Sequence, residues 1–156
     1  MLKSTTSILL IEDNPDDVEL TLHAIKKNNI ANPVEVLRDG QEALDYLFYK
    51  GKYSDSTHPL PGLILLDLKL PKVDGVEILR NIKTDRELKL IPVIVLTSSK
   101  EDRDVTKSYN LGLNSYIRKP IDFDQFVETV KHIGFYWLLL NEFPPFKKNH
   151  RDAAKT

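Results

Sequence analysis

Two short runs, LILL at 63–66 and VIVL at 93–96, are apolar at every position rather than at alternate ones. A strand that faces water on one side alternates. A strand covered on both sides does not, and both-sided cover is the mark of a parallel sheet sandwiched between helices. Three more strand-length segments flank these: residues 7–11 (SILLI), 34–37 (VEVL) and 115–118 (SYIR). Between them lie longer stretches with helical spacing. Residues 16–27 place Val18, Leu22 and Ile25 on one stripe, with Asn14 as cap and Pro15 in the first turn. Residues 39–49 carry Ala43, Leu44 and Leu47, and residues 74–83 carry Val76, Leu79 and Ile82. Residues 101–111 are less apolar, and 122–140 form the longest stretch.

The resulting order, five β-α units in succession, predicts an α/β fold. Right-handed crossovers make it a doubly wound five-stranded parallel sheet with helices on both faces. The 156 residues suffice for one such domain, read as 1–140, with 141–156 as a C-terminal tail and no separate output domain. The segments 28–33 and 51–62 read as the substantial loops, and the second (GKYSDSTHPLPG) as an exposed excursion. Twenty-two Lys and Arg against 23 Asp and Glu leave a net charge of −1, which argues against a nucleic-acid partner. With no cysteine there is no disulfide framework, thiolate metal site or Cys nucleophile. No signal-peptide core or membrane span is present, so a cytoplasmic location is expected.

In open α/β sheets, ligands bind outside the carboxyl ends of the strands. Here the first strand ends in Glu12-Asp13, the third in Asp67, the fourth in Thr97 and the fifth in Lys119. A parallel sheet gathers these side chains on one rim. Three carboxylates so close repel one another, and a hard divalent cation such as Mg2+, which accepts two or three carboxylates and keeps several waters, resolves the repulsion. Metal, ammonium and hydroxyl around a carboxylate can stabilise a phosphoryl group in transfer, with Asp67 as nucleophile. Taken singly, each signal has an ordinary reading. Asp16, Asp17 and Glu19 suit a solvated first helical turn, Thr97-Ser98-Ser99 suits a capping run, and Lys119-Pro120 suits a turn. Their joint occurrence at strand ends is what points to chemistry.

The residues Glu12-Asp13, LILLDLKLPKVDG (63–75), VLTSS (95–99) and YIRKP (116–120) resemble the receiver domain of two-component response regulators. The resemblance covers residues 7–133 and implies a flavodoxin-like sheet in order 2-1-3-4-5. It also implies that Asp67 is the phosphoacceptor for a sensor histidine kinase. Glu12, Asp13, Asp67 and the backbone carbonyl of Lys69 would then surround Mg2+, while Thr97 and Lys119 would contact the phosphoryl oxygens. Tyr116 would be the aromatic that moves with Thr97; from the residues alone it is equally a half-buried strand aromatic. The Lys69 side chain either sits over the phosphoryl group or points to solvent. A hydrolase or phosphotransferase acting through an aspartyl phosphate resembles D-x-D, and Lys69 stands where its second acid belongs. A flavodoxin-like nucleotide binder needs a Gly- or Ser-rich phosphate loop where this chain has EDNPDD. An unphosphorylated adaptor would not need the full set of site residues.

A finer resemblance, carried by the single-domain architecture, by FYKGKYSDSTHPLPG (48–62) and by FYWLLLNEFPP (135–145), is to the small single-domain regulators that pair with bacterial phytochromes. Such a regulator is a signalling protein rather than an enzyme. Residues 136–140 hold more apolar surface than the sheet can hide, which suggests a homodimer through Phe135, Trp137, Leu138 and Phe143; Phe135, Trp137 and Leu139 could instead fold back on the domain.

Overall fold

The computed structural model describes residues 6–27, 29–97, 110–111, 115–118 and 123–129. Its five parallel strands are β1 (Ile8–Ile11), β2 (Val34–Leu37), β3 (Leu63–Asp67), β4 (Val93–Thr97) and β5 (Ser115–Arg118), in spatial order 2-1-3-4-5. The helices are α1 (Pro15–Lys27), α2 (Gly40–Phe48), α3 (Gly75–Thr84) and α4 (Phe123–Thr129). The doubly wound parallel fold expected from the apolar runs is therefore the fold observed. The predicted helix at 101–111 lies outside the described residues except for Asn110 and Leu111.

The apolar runs divide between two cores by strict alternation. On β3, Ile64 and Leu66 pack with Leu79 and Ile82 of α3 and Leu47 of α2. Leu63 and Leu65 point the other way, toward Val18 and Ile25 of α1. All four are fully buried. Each contributes about 1.5–3 kcal/mol relative to an exposed position, so an all-apolar β3 is stable only because helices cover both its faces. β3 pairs β1 through Leu65↔Leu10 and β4 through Leu65↔Ile94. That central position sets Asp67 at the end of a strand whose apolar residues are all fully buried.

Three sequence expectations need correction. On α1 the buried set is Val18, Thr21, Ala24 and Ile25, while Leu22 is 36% exposed. Small Thr21 and Ala24 let the helix approach the sheet closely and rotate Leu22 outward. Asp39 and Asp74 are caps rather than helical residues: their carboxylates accept the backbone N–H groups of Glu42 and Val76, each at 2.7 Å. The 51–62 excursion is not simply exposed. It contains a 3-10 turn at Gly51–Tyr53, and Leu60, Pro61 and Gly62 are buried. The His58 ring stacks on Tyr46 and Tyr49 at centroid distances of 3.9 and 4.5 Å. Its Nε2 donates to the Tyr46 carbonyl at 2.9 Å, so Nδ1 accepts the Ser56 hydroxyl at 2.6 Å. The Tyr49 hydroxyl donates to the His58 carbonyl at 2.6 Å. These contacts explain why Tyr49 takes the left-handed C-cap of α2 (φ 56°), a position that ordinarily favours glycine.

Beside this turn, Lys52 bridges Glu42 at 2.7 Å and the Tyr53 hydroxyl donates to the same carboxylate at 3.1 Å. The Lys52 hydrogen bond is the largest influence holding the Glu42 carboxyl below its ordinary 4.5. A carboxyl depressed in the fold stabilises it above the unfolded value and ceases to do so as pH falls through the folded value. The thermal midpoint of the wild type should exceed that of Glu42→Gln at neutral pH. This difference should shrink as pH drops below about 4.5 and shrink also with added salt, because the pair is exposed. A pH-independent difference would show that the ion pair is not its source.

Candidate functional site

Glu12 and Asp13 follow β1, and Asp67 closes β3; because β1 and β3 are adjacent and parallel, the chain emerges from both at the same rim. One carboxylate oxygen from each of the three residues lies within 4.8 Å of the other two. Glu12 is fully buried, Asp67 is 3% exposed and Asp13 is exposed. The structure thus brings together the three carboxylates expected from the strand ends.

Backbone donors aim them. The Lys69 N–H donates to Asp67 Oδ1 at 3.1 Å, and the Asn14 N–H donates to Glu12 Oε2 at 3.2 Å. Asn14 also caps α1, its Oδ1 accepting from Asp16 at 2.8 Å and Asp17 at 3.2 Å. The start of α1 therefore fixes the rim geometry as well as the helix. Asp16 and Glu19 are exposed, in keeping with a solvated first turn.

The donor set consists entirely of hard carboxylate oxygens, and two of the three groups are buried. Burial makes mutual repulsion costly, and a divalent cation with a preference for oxygen removes that cost. The residues present therefore fit a hard divalent metal ion.

The segment between β3 and α3 is held tightly. Leu68 N–H donates to the Leu96 carbonyl at 3.2 Å, and Gly75 N–H returns to the Leu68 carbonyl at 3.0 Å. A Cβ on Gly75 would fall 2.4 Å from the Asp67 carbonyl oxygen, a distance no side chain tolerates. This close approach was not anticipated from the sequence, although the Asp74-Gly75 dipeptide is a turn signal that could have marked it. Lys69 is exposed.

Thr97 ends β4 next to β3, and Tyr116 lies on β5 opposite Val95. Only their backbone positions are described. Lys119, Phe135, Trp137, Leu138 and Phe143 lie outside the described residues. A separate cavity of about 440 Å³, lined by Leu22, Ile25, Ile30 and Val34, lies where α1 ends and β2 begins, away from the carboxylate rim.

Comparison with known proteins agrees with this architecture. Residues 8–131 match the response regulator receiver domain. The chain is 43% identical over 131 residues to the response regulator Rcp1 of Synechocystis, covering 84% of this chain and 88% of that one. The Mn2+-bound form of Rcp1 superposes with a TM-score of 0.76 at 41% identity, covering 89% of this chain and 99% of that one. The phosphorylated cyanobacterial phytochrome response regulator RcpA gives 0.76 at 42% identity, over 89% and 98% of the two chains. The bacteriophytochrome response regulator AtBRR gives 0.72 at 51% identity, over 88% and 98%. With the strand order, the carboxylate rim and the matched span all in agreement, the chain belongs to the response regulator receiver domain family.

Proposed function

We propose that this chain is a phosphoacceptor switch in which Asp67 takes a phosphoryl group from a sensor histidine kinase of the phytochrome type. The observation that carries the reading is the seating of Asp67: a nearly buried carboxylate at a central strand end, held by the Lys69 N–H, with Glu12 and Asp13 beside it. A carboxylate so held has lost most of its rotamer freedom and presents an oxygen to an incoming group without further ordering. An Asp67 oxygen forms the new O–P bond as the P–N bond to the kinase histidine breaks, and the departing imidazole keeps the electron pair of that bond. The product is an aspartyl phosphate.

Glu12, Asp13, Asp67 and the Lys69 backbone carbonyl are the groups proposed to hold Mg2+. When bound there, the ion supplies positive charge beside the phosphoryl oxygens. Thr97 is assigned the phosphoryl contact from β4 and Lys119 the balancing cation. Tyr116 is assigned the conformational response on β5, as a side chain that fills the space Thr97 leaves. The readout is a population shift, which only a partner with unequal affinity for the two states can detect. Phe135, Trp137, Leu138 and Phe143 are proposed to form a homodimer contact, supported by the apolar surplus of their sequence. The chain acts as a signalling protein rather than as an enzyme on a small-molecule substrate, and a cytoplasmic location suits a kinase partner of this kind.

The test is incubation of the full chain with acetyl phosphate and Mg2+, followed by intact-mass measurement. A single phosphate adduct that is removed by hydroxylamine, as an acyl phosphate is, supports the reading. An unmodified mass under conditions that phosphorylate a control receiver would overturn it.

A further inference from the structure

The loop from Leu68 to Asp74 contains a strained element. Val73 N–H donates back to the Pro71 carbonyl at 2.8 Å across Lys72, whose φ is +69°. That is a γ-turn with a positive φ at a residue bearing a long side chain, a sparsely populated conformation that persists only where its surroundings impose it. The surroundings here are the start of α2. The Gly40 N–H donates to the same Pro71 carbonyl at 3.1 Å. Gly40 also presses against Val73: a Cβ on Gly40 would fall 2.0 Å from the Val73 carbonyl oxygen and 2.8 Å from its Cβ. Asp39 Oδ2 lies 3.5 Å from Lys72 Nζ, adding an exposed ion pair to the contact. The obstacle is backbone, so no side-chain rotation can relieve it.

We infer that Gly40, on a helix that contributes no group to the carboxylate rim, is a positioning residue for the metal site, acting through the γ-turn at Lys72 on the Lys69 carbonyl. The inference rests on the proposed role of that carbonyl. The loop is clamped at both ends: Gly75 sits against Asp67 and Leu68, and Gly40 sits against Val73. Lys69 lies between the clamps, its N–H on Asp67 Oδ1. Any side chain at position 40 must drive Val73 away from α2, and the loop that presents Lys69 moves with it. The two Asp-Gly pairs of the chain, Asp39-Gly40 and Asp74-Gly75, thus serve one loop from opposite sides.

The experiment measures Mn2+ affinity of the full chain from the electron paramagnetic resonance signal of the free ion, together with backbone amide spectra. Gly40→Ala should weaken Mn2+ binding at least about tenfold, the scale on which groups supporting metal ligands act. It should also shift the amide resonances of Lys69 and Asp67 while leaving those of β1 unchanged. Lys72→Pro, which forbids a positive φ, should also weaken binding. If Gly40→Ala fails to fold, Lys72→Pro decides. Wild-type affinity in a folded variant overturns the inference while leaving the metal site intact. Absence of Mn2+ binding by the wild type instead overturns the proposed metal site. The Lys69 and Asp67 amide shifts then judge the clamp alone: displaced resonances support it and unmoved ones sink it.

Discussion

Asp67→Asn is expected to abolish phosphorylation by acetyl phosphate or by a histidine kinase while leaving the fold intact. The carboxamide is close in size and shape to the carboxylate, and its Oδ1 still accepts the Lys69 N–H that holds Asp67 Oδ1 at 3.1 Å. Its nitrogen cannot take the place of the second carboxylate oxygen, and its oxygen is a far weaker nucleophile than a carboxylate. The loss should therefore be complete on the timescale that saturates the wild type, with no fall in thermal midpoint. Removing one of three mutually repelling charges should, if anything, raise it. Intact mass with and without phosphodonor, paired with a thermal melt, checks both parts. An adduct surviving in Asp67→Asn would move the nucleophile elsewhere, with Asp13 as the exposed neighbour in the cluster.

The sheet was legible because LILL and VIVL admit one kind of neighbour, a helix on each side. The strands at 34–37 and 115–118 have the bounds read from the sequence. The rim was legible for a related reason: in a parallel sheet every strand end faces the same way, so sequence position alone gathers Glu12, Asp13 and Asp67. Other features were hidden because they depend on distances between segments far apart in the chain. Nothing in the pattern of α1 announces that Thr21 and Ala24, rather than Leu22, face the sheet. The excursion reads as polar, yet His58 finds two tyrosines on α2 and its C-cap, a match of rings across 12 and 9 residues. The support for Lys69 was hidden in the same way. Asp39-Gly40 looks like an ordinary helix start until Val73 is seen to lie against it.

The acidic rim itself should cost stability until a cation arrives, and the double variant Glu12→Gln/Asp13→Asn isolates that cost. Two unit charges 4.8 Å apart, the span of the cluster, repel by about 3 kcal/mol at an effective dielectric near 20. Water around exposed Asp13 reduces this, so a net gain of about 1–3 kcal/mol is expected for the variant in EDTA. The glutamine oxygen at position 12 can keep the Asn14 N–H that Glu12 now accepts. Mg2+ should act very unequally on the two proteins. At about a hundred times its dissociation constant, a ligand bound only to the fold adds about 2.7 kcal/mol. The wild type should gain on that scale, and the double variant, left with Asp67 as the sole carboxylate of the three, should gain almost nothing. Urea melts in EDTA and in excess Mg2+ would therefore cross: the variant more stable without the ion, the wild type level with it or ahead once the ion is present. Equal responses to Mg2+ would mean that the ion binds elsewhere. Lower stability of the variant in EDTA would mean that Glu12 and Asp13 are held by contacts stronger than their repulsion, and the cluster would then be structural rather than poised for a cation.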